Sequence, residues 1–185
     1  FFLCAAAITN SDVLLRGLDM NDTQGDKQVV HFLQAMGADI RTTEEGLVIK
    51  GGNLKGIELD LGDTPDALPA LSVVGCFAQG TTTIRNAPSA RWKETDRIKV
   101  MCQELSKLGA DVEELEDGLI IRESLLKHGV VNGHDDHRVV MAMAVAGLRI
   151  AEGVKIETAE ALRVTVPNFV PLMQALGASL SFEAS

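Results

Sequence analysis

Tyrosine is absent from this 185-residue chain and tryptophan occurs once, so aromatic residues make up only 4% of it. Nothing here suggests a row of aromatic platforms on which nucleic-acid bases could stack. Basic residues are scarce beside acidic ones, 17 against 26, for a formal net charge of -9. That balance argues against nucleic acid and anionic membranes as partners, so any basic cluster is local and specific. Cysteine is confined to Cys4, Cys76 and Cys102, an odd number set in apolar segments, and no metal-type spacing links them to each other or to a histidine. The pattern points to reduced thiols in a cytosol-like compartment rather than a disulfide framework. No apolar run approaches transmembrane length. The opening from Phe1 to Ile8 lacks the basic n-region, the initiator Met and the length of a signal peptide, and it reads as a core helix entered midway.

Repetition is what the chain does have. Its length suffices to bury a full core, with a single domain over 1–185 as the default. Within it a Gly-Ala-Asp/Ser triplet recurs at Gly37, Gly109 and Gly177, 72 and then 68 residues apart. Each follows an apolar helix end, where glycine supplies the left-handed residue that closes a helix. Hairpin turns recur as Glu44-Glu45-Gly46 before Leu47-Val48-Ile49 and Glu116-Asp117-Gly118 before Leu119-Ile120-Ile121. The implied class is α/β, built from repeated strand-helix-strand-helix-hairpin (βαβαββ) units packed around a pseudo-threefold axis. The first unit, about 1–55, lacks its opening strand; the second, about 56–126, is complete; the third, about 127–185, stops before its hairpin. Equivalent helix N-termini are expected to face one side. Met36, Met101, Met141, Met143 and Met173 fall on apolar helix faces and are expected to fill core.

Charge placement marks a site. Arg91-Trp92-Lys93-Glu94-Thr95-Asp96-Arg97 precedes Ile98, Met101, Cys102, Leu105 and Leu108 at helical spacing, which sets Lys93 and Arg97 at a helix N-terminus. That end already carries about half a positive charge, so added cations are locally costly but make a strong anion site. Glu94 lies inside that field, where a carboxylate could move protons; its bland alternative is a first-turn carboxylate offsetting Arg97 at i,i+3. Asp66, three residues after Asp63 with Pro65 between, reads equally as a capping box. His137 and Arg138 open another apolar helix, with Asp135 or Asp136 as its N-cap. His31, His128 and His134 show no partner pattern and read as surface or loop residues, and Trp92 could pack beneath Lys93.

Asp63-Thr64-Pro65-Asp66-Ala67, Lys93-Glu94-Thr95-Asp96-Arg97 and Asp136-His137-Arg138 stand in the order and spacing of the 3-phosphoshikimate 1-carboxyvinyltransferase family, and Gly80 to Asn86 resembles it too. The likeness covers essentially the whole chain. It implies a two-domain protein with the active site between domains, of which this chain resembles most of one. It also implies transfer of the enolpyruvyl group of phosphoenolpyruvate to the 5-hydroxyl of shikimate 3-phosphate, on the shikimate pathway to aromatic amino acids, in the cytoplasm. General acid-base catalysis and electrostatic positioning suffice for that reaction, so no metal or organic cofactor is implied.

By resemblance Asp66 is the base facing the 5-hydroxyl and Glu94 the group that moves a proton at the methylene carbon. Asp66, Lys93 and Ser89 would hold shikimate 3-phosphate; Arg97, Arg138 and His137 would hold phosphoenolpyruvate. The chain departs from the family twice. Ser89 stands where many members carry asparagine, and Val164 where many carry a phosphoenolpyruvate-binding lysine, with Arg163 adjacent. Two other readings stay open: a non-catalytic anion-binding repeat domain, and the sister enzyme that enolpyruvylates UDP-N-acetylglucosamine, against which the Lys93–Arg97 block speaks.

Overall fold

Every residue from Leu68 to Cys76 is buried, and a helix apolar on all sides has to lie at the centre of a fold. This is helix α3 (Leu68–Phe77) in the computed structural model, which describes residues 1–18 and 25–183; the side chain of Val164 lies outside the described ones. Around α3 pack α1 (Phe2–Thr9), α4 (Arg97–Lys107) and α5 (His137–Gly147), with α2 (Gln28–Ala35) against α1. The five methionines named above are all buried among them. Two short helices, α6 (Leu162–Thr165) and α7 (Phe169–Ala175), close the described chain. Among the described residues no helix is long and apolar enough to cross a membrane.

The strands form three sheets. Strands β1 (Asp12–Leu15), β2 (Asp39–Thr43) and β3 (Gly46–Lys50) pair antiparallel in the order β1-β3-β2. Strands β4 (Glu58–Asp60), β5 (Thr81–Arg85), β6 (Asp111–Glu114) and β7 (Leu119–Arg122) run in the order β4-β5-β7-β6, with β4 parallel to β5 and the other pairs antiparallel. Strands β8 (Val130–Asn132) and β9 (Lys155–Glu157) form a parallel pair. The β5-β7-β6 part of the second sheet thus has the order and sense of the first sheet. Its β4–β5 pair has the sense of the third.

The three repeated glycines occupy one setting. Gly37, Gly109 and Gly177 have φ of 110°, 89° and 93° and follow α2, α4 and α7. Behind each, the next residue's N–H reaches back to the helix: Ala38 to Leu33 O at 2.9 Å, Ala110 to Leu105 O at 3.0 Å, Ala178 to Met173 O at 3.0 Å. This is the left-handed helix stop that the triplet announces.

The hairpin glycines serve a different need, close backbone approach. A Cβ on Gly46 would sit 2.2 Å from Leu15 O, and one on Gly118 would sit 1.9 Å from Ile84 O. Both contacts are with backbone of the neighbouring strand, which cannot yield without opening the ladder. Gly118→Ala is therefore expected to cost about 1–3 kcal/mol by overpacking. Urea unfolding would read this as a lower midpoint at unchanged slope, and an unshifted midpoint would refute the close-approach argument.

Candidate functional site

Three helix starts that are far apart in sequence meet on one side of the fold. Asp66 lies in the turn of 3-10 helix Pro65–Ala67 that leads into α3; Arg97 is the first residue of α4; His137 and Arg138 are the first two of α5. Asp96 caps α4 by accepting from Lys99 N at 3.0 Å, and Asp136 caps α5 by accepting from Arg138 N at 2.8 Å. Lys93 and Glu94 lie in the bend before α4, so Glu94 is not the first-turn carboxylate of the bland reading. The Asp63–Asp66 capping box is also replaced: no side-chain hydrogen bond caps that turn, and Asp66 faces cations instead.

Arg97 is the hub. Only 1% of its side chain is exposed, and its guanidinium meets three carboxylates. Nε donates to Asp136 Oδ2 at 2.7 Å, Nη2 to Asp136 Oδ1 at 3.2 Å and Glu94 Oε2 at 2.6 Å, and Nη1 to Asp66 Oδ1 at 2.8 Å. Asp136, itself fully buried, holds the rear edge of the fork. Asp66 and Glu94 hold the outer edge, and they are the exposed partners, at 31% and 46%.

Asp66 also receives Lys93 Nζ at 3.1 Å and Arg138 Nη2 at 3.5 Å, while Arg138 Nη1 donates to its carbonyl oxygen at 3.3 Å. Burial pushes the Asp66 pKa up, but the Lys93 hydrogen bond and the charges of Arg138, Arg97 and Lys93 outweigh it and hold the carboxyl below its ordinary value. Such a shift stabilises the fold above the ordinary carboxylate range, and that contribution is lost as pH falls through the depressed pKa. His137 Nδ1 lies 3.7 Å from Glu94 Oε1. Asp66, Lys93, Glu94, Arg97, His137 and Arg138 are thus brought together. Ser89 is not among them: it is exposed on the 3-10 helix Pro88–Trp92, and no hydrogen bond joins its hydroxyl to the cluster among the described residues. Trp92 does not pack beneath Lys93 but stands 86% exposed. Arg163 rests its guanidinium over the Phe182 ring at 5.9 Å, and the Val164 side chain that the sequence comparison turns on lies outside the described residues.

Sequence reasoning missed two carboxylates here and one pair behind. Asp136 reads as a helix cap in sequence, and only its burial reveals it as the anchor of Arg97. Asp26 comes from the first helical turn before α2, accepts from Thr64 Oγ1 at 3.4 Å and lies 3.8 Å from Arg138 Nη2. His134, expected to lack a partner, places Nε2 at 2.9 Å from Oε1 of the buried Glu104. An acidic residue on the apolar face of α4 was the available signal for that pair. Exposed His31 and His128 fit the loop-and-surface reading.

Lys93, Arg97 and Arg138 face Asp26, Asp66, Glu94 and Asp136, so the cations are neutralised within the cluster. An incoming anion has to displace carboxylates, and the exposed Glu94 and half-buried Asp66 are the ones that can move. No group of three or more His, Cys, Asp or Glu is placed to hold a metal among the described residues. A depression of about 530 Å³ beside the cluster carries Asp60, Asp63 and no cation on its wall, which makes it a poor anion site.

Comparison with known proteins adds to this geometry. Residues 1–173 match the profile of the family described as EPSP synthase (3-phosphoshikimate 1-carboxyvinyltransferase). A 3-phosphoshikimate 1-carboxyvinyltransferase of Ruminiclostridium cellulolyticum is 51% identical over 180 residues, covering 97% of this chain and 43% of that protein. One from Methanocaldococcus jannaschii is 42% identical over 182 residues, covering 97% and 42%. Among solved structures, EPSP synthase from Acinetobacter baumannii superposes with a TM-score of 0.83 at 33% identity, over 94% of this chain and 44% of that one. The chain therefore spans less than half the length of the relatives it matches.

Proposed function

Because this chain belongs to the EPSP synthase family, we propose that it supplies one half of an active site in a longer protein. That protein moves the enolpyruvyl group of phosphoenolpyruvate onto the 5-hydroxyl of shikimate 3-phosphate and releases phosphate, in the cytoplasm, on the route to aromatic amino acids. The observation that carries the reading is Arg97, fixed from behind by buried Asp136 and held in front only by the exposed Glu94 and the half-buried Asp66. A substrate carboxylate or phosphate takes the outer edge of that fork through two hydrogen bonds. Arg138 and His137 complete this anion subsite, while Lys93 and Asp66 hold shikimate 3-phosphate, with Ser89 at its margin.

Displacement from Arg97 frees both carboxylates for proton transfer. Asp66, ionised by its surroundings, accepts the 5-hydroxyl proton as the oxygen bonds to the vinyl carbon of phosphoenolpyruvate. Glu94, having taken up a proton from solvent, delivers it to the methylene carbon, and then takes a proton back from the resulting methyl group as phosphate departs and the double bond re-forms. Arg97 and Arg138 stabilise charge on the carboxylate and the leaving phosphate throughout.

The same reading extends to architecture. We propose one domain over 1–185, of three βαβαββ units around a pseudo-threefold axis, the first and third incomplete, with bounds near 55 and 126. The matching glycine stops, the shared β5-β7-β6 and β1-β3-β2 order and the meeting of three helix starts support it.

A phosphate-release assay on the full-length protein tests the function. Release is expected only when phosphoenolpyruvate and shikimate 3-phosphate are both present. Release with UDP-N-acetylglucosamine in place of shikimate 3-phosphate would move the protein to the sister reaction. No release with either acceptor would leave a non-catalytic anion-binding domain.

A further inference from the structure

The cluster accounts for one end of α4, but the same helix face carries a second buried charge that it leaves unexplained. Glu104 follows Arg97 by seven residues, two turns on and on the same side of the helix. Its side chain is 1% exposed, and a carboxylate is costly to bury unless fully hydrogen-bonded. Both of these side chains reach toward one short segment, the β8–α5 connection. Arg97 holds Asp136, while Glu104 Oε2 accepts from Asn132 N at 2.9 Å and Oε1 meets His134 Nε2 at 2.9 Å. Lys107 Nζ covers the outer side, at 2.8 and 2.7 Å from the two oxygens.

That segment is not one a chain adopts on its own. His134 and Asp135 have φ of 52° and 54°, consecutive left-handed residues with side chains. Local bonds tie them down: His134 N donates to Asn132 Oδ1 at 2.6 Å, and Asp135 N to Thr158 Oγ1 at 3.2 Å. The next residues delivered are Asp136, His137 and Arg138, the rear anchor of Arg97 and two members of the cluster. Burial pushes the Glu104 pKa up, but hydrogen bonds from His134, Lys107 and Asn132 N, with the Lys107 charge, hold it below its ordinary value. The carboxylate stays ionised and keeps its grip on the loop.

We infer that Glu104 and His134 are positioning residues: their contact holds the strained 132–135 turn against α4 and so sets Asp136, His137 and Arg138 relative to Arg97. The inference rests on the proposed active-site reading, because positioning has a kinetic consequence only if the cluster binds substrate. The pair lies two turns along α4 from Arg97.

Three variants of the full-length protein test it. His134→Ala is expected to lower kcat/KM for phosphoenolpyruvate about 10- to 100-fold, since a displacement of about 1 Å in the binding groups is enough for such a loss. His134→Gln places an amide N–H about where Nε2 stands and is expected to restore kcat/KM to within about threefold of wild type. Lys107→Ala removes a short ion pair from the same carboxylate but leaves its bonds to Asn132 N and His134 in place, and is expected to change kcat/KM less than about threefold. Amide exchange of residues 133–138 should rise in His134→Ala and not in Lys107→Ala. An unchanged His134→Ala, failure of the glutamine to rescue, or equal losses in His134→Ala and Lys107→Ala would overturn the inference. Wild-type protein without enolpyruvyl transfer would instead sink the function reading, and the exchange comparison would still decide whether the pair holds the loop.

Discussion

Arg97→Ala is expected to destabilise this chain by about 3–5 kcal/mol, the cost of leaving a buried charge without its partner. The stranded group is Asp136, fully buried, whose carboxylate would keep only the Arg138 N–H of its own helix. Arg97→Lys should recover little, because one ammonium cannot span the three carboxylates that the planar fork reaches. Replacing both partners with apolar residues, as Arg97→Met with Asp136→Leu, should cost less than the sum of the single changes. Arg16→Ala, which breaks an exposed pair with Glu45, is the contrasting control and should leave stability nearly unchanged. Urea unfolding measures each of these variants and the two single changes. If Arg97→Ala unfolded at the same urea concentration as Arg16→Ala, the buried pair would not be the anchor described here.

Phosphate release by this chain alone, given phosphoenolpyruvate and shikimate 3-phosphate, is expected to stay at background. The groups proposed to transfer protons are open to water, with 46% of Glu94 and 31% of Asp66 exposed, and solvent screens the charges around them. Its cations Lys93, Arg97 and Arg138 are also engaged by carboxylates of the same cluster, which leaves them less able to grip two phosphates and a carboxylate at once. Each missing preorganised donor is worth about 10²–10³ in rate, and losing several removes measurable turnover. In the full-length protein, Glu94→Gln should lower kcat by about 10²–10⁴, as loss of a positioned acid-base group does. The same variant identifies contamination. Turnover by the isolated chain that vanished in its Glu94→Gln form would show this half to be self-sufficient.

The features legible in the sequence are those whose causes act over a few residues. Gly37, Gly109 and Gly177 close helices because left-handed backbone is cheap only for glycine, and that holds before any tertiary contact forms. Asp66, Lys93, Glu94, Arg97, His137 and Arg138 came forward as one group through resemblance to a known family and not through local energetics. Other assignments needed the packed chain. Asp66 could cap its own turn or face cations, and what decides is the arrival of Arg97 and Arg138, 31 and 72 residues later. Asp136 caps α5 in either case, but it becomes an anchor because Arg97 arrives from 39 residues earlier and both side chains are buried. Glu104 and His134, 30 residues apart, meet for the same kind of reason. Capping, turn and periodicity energies are local and can be read along the chain. Ion-pair energies depend on distance and burial, which exist only once separate segments have packed.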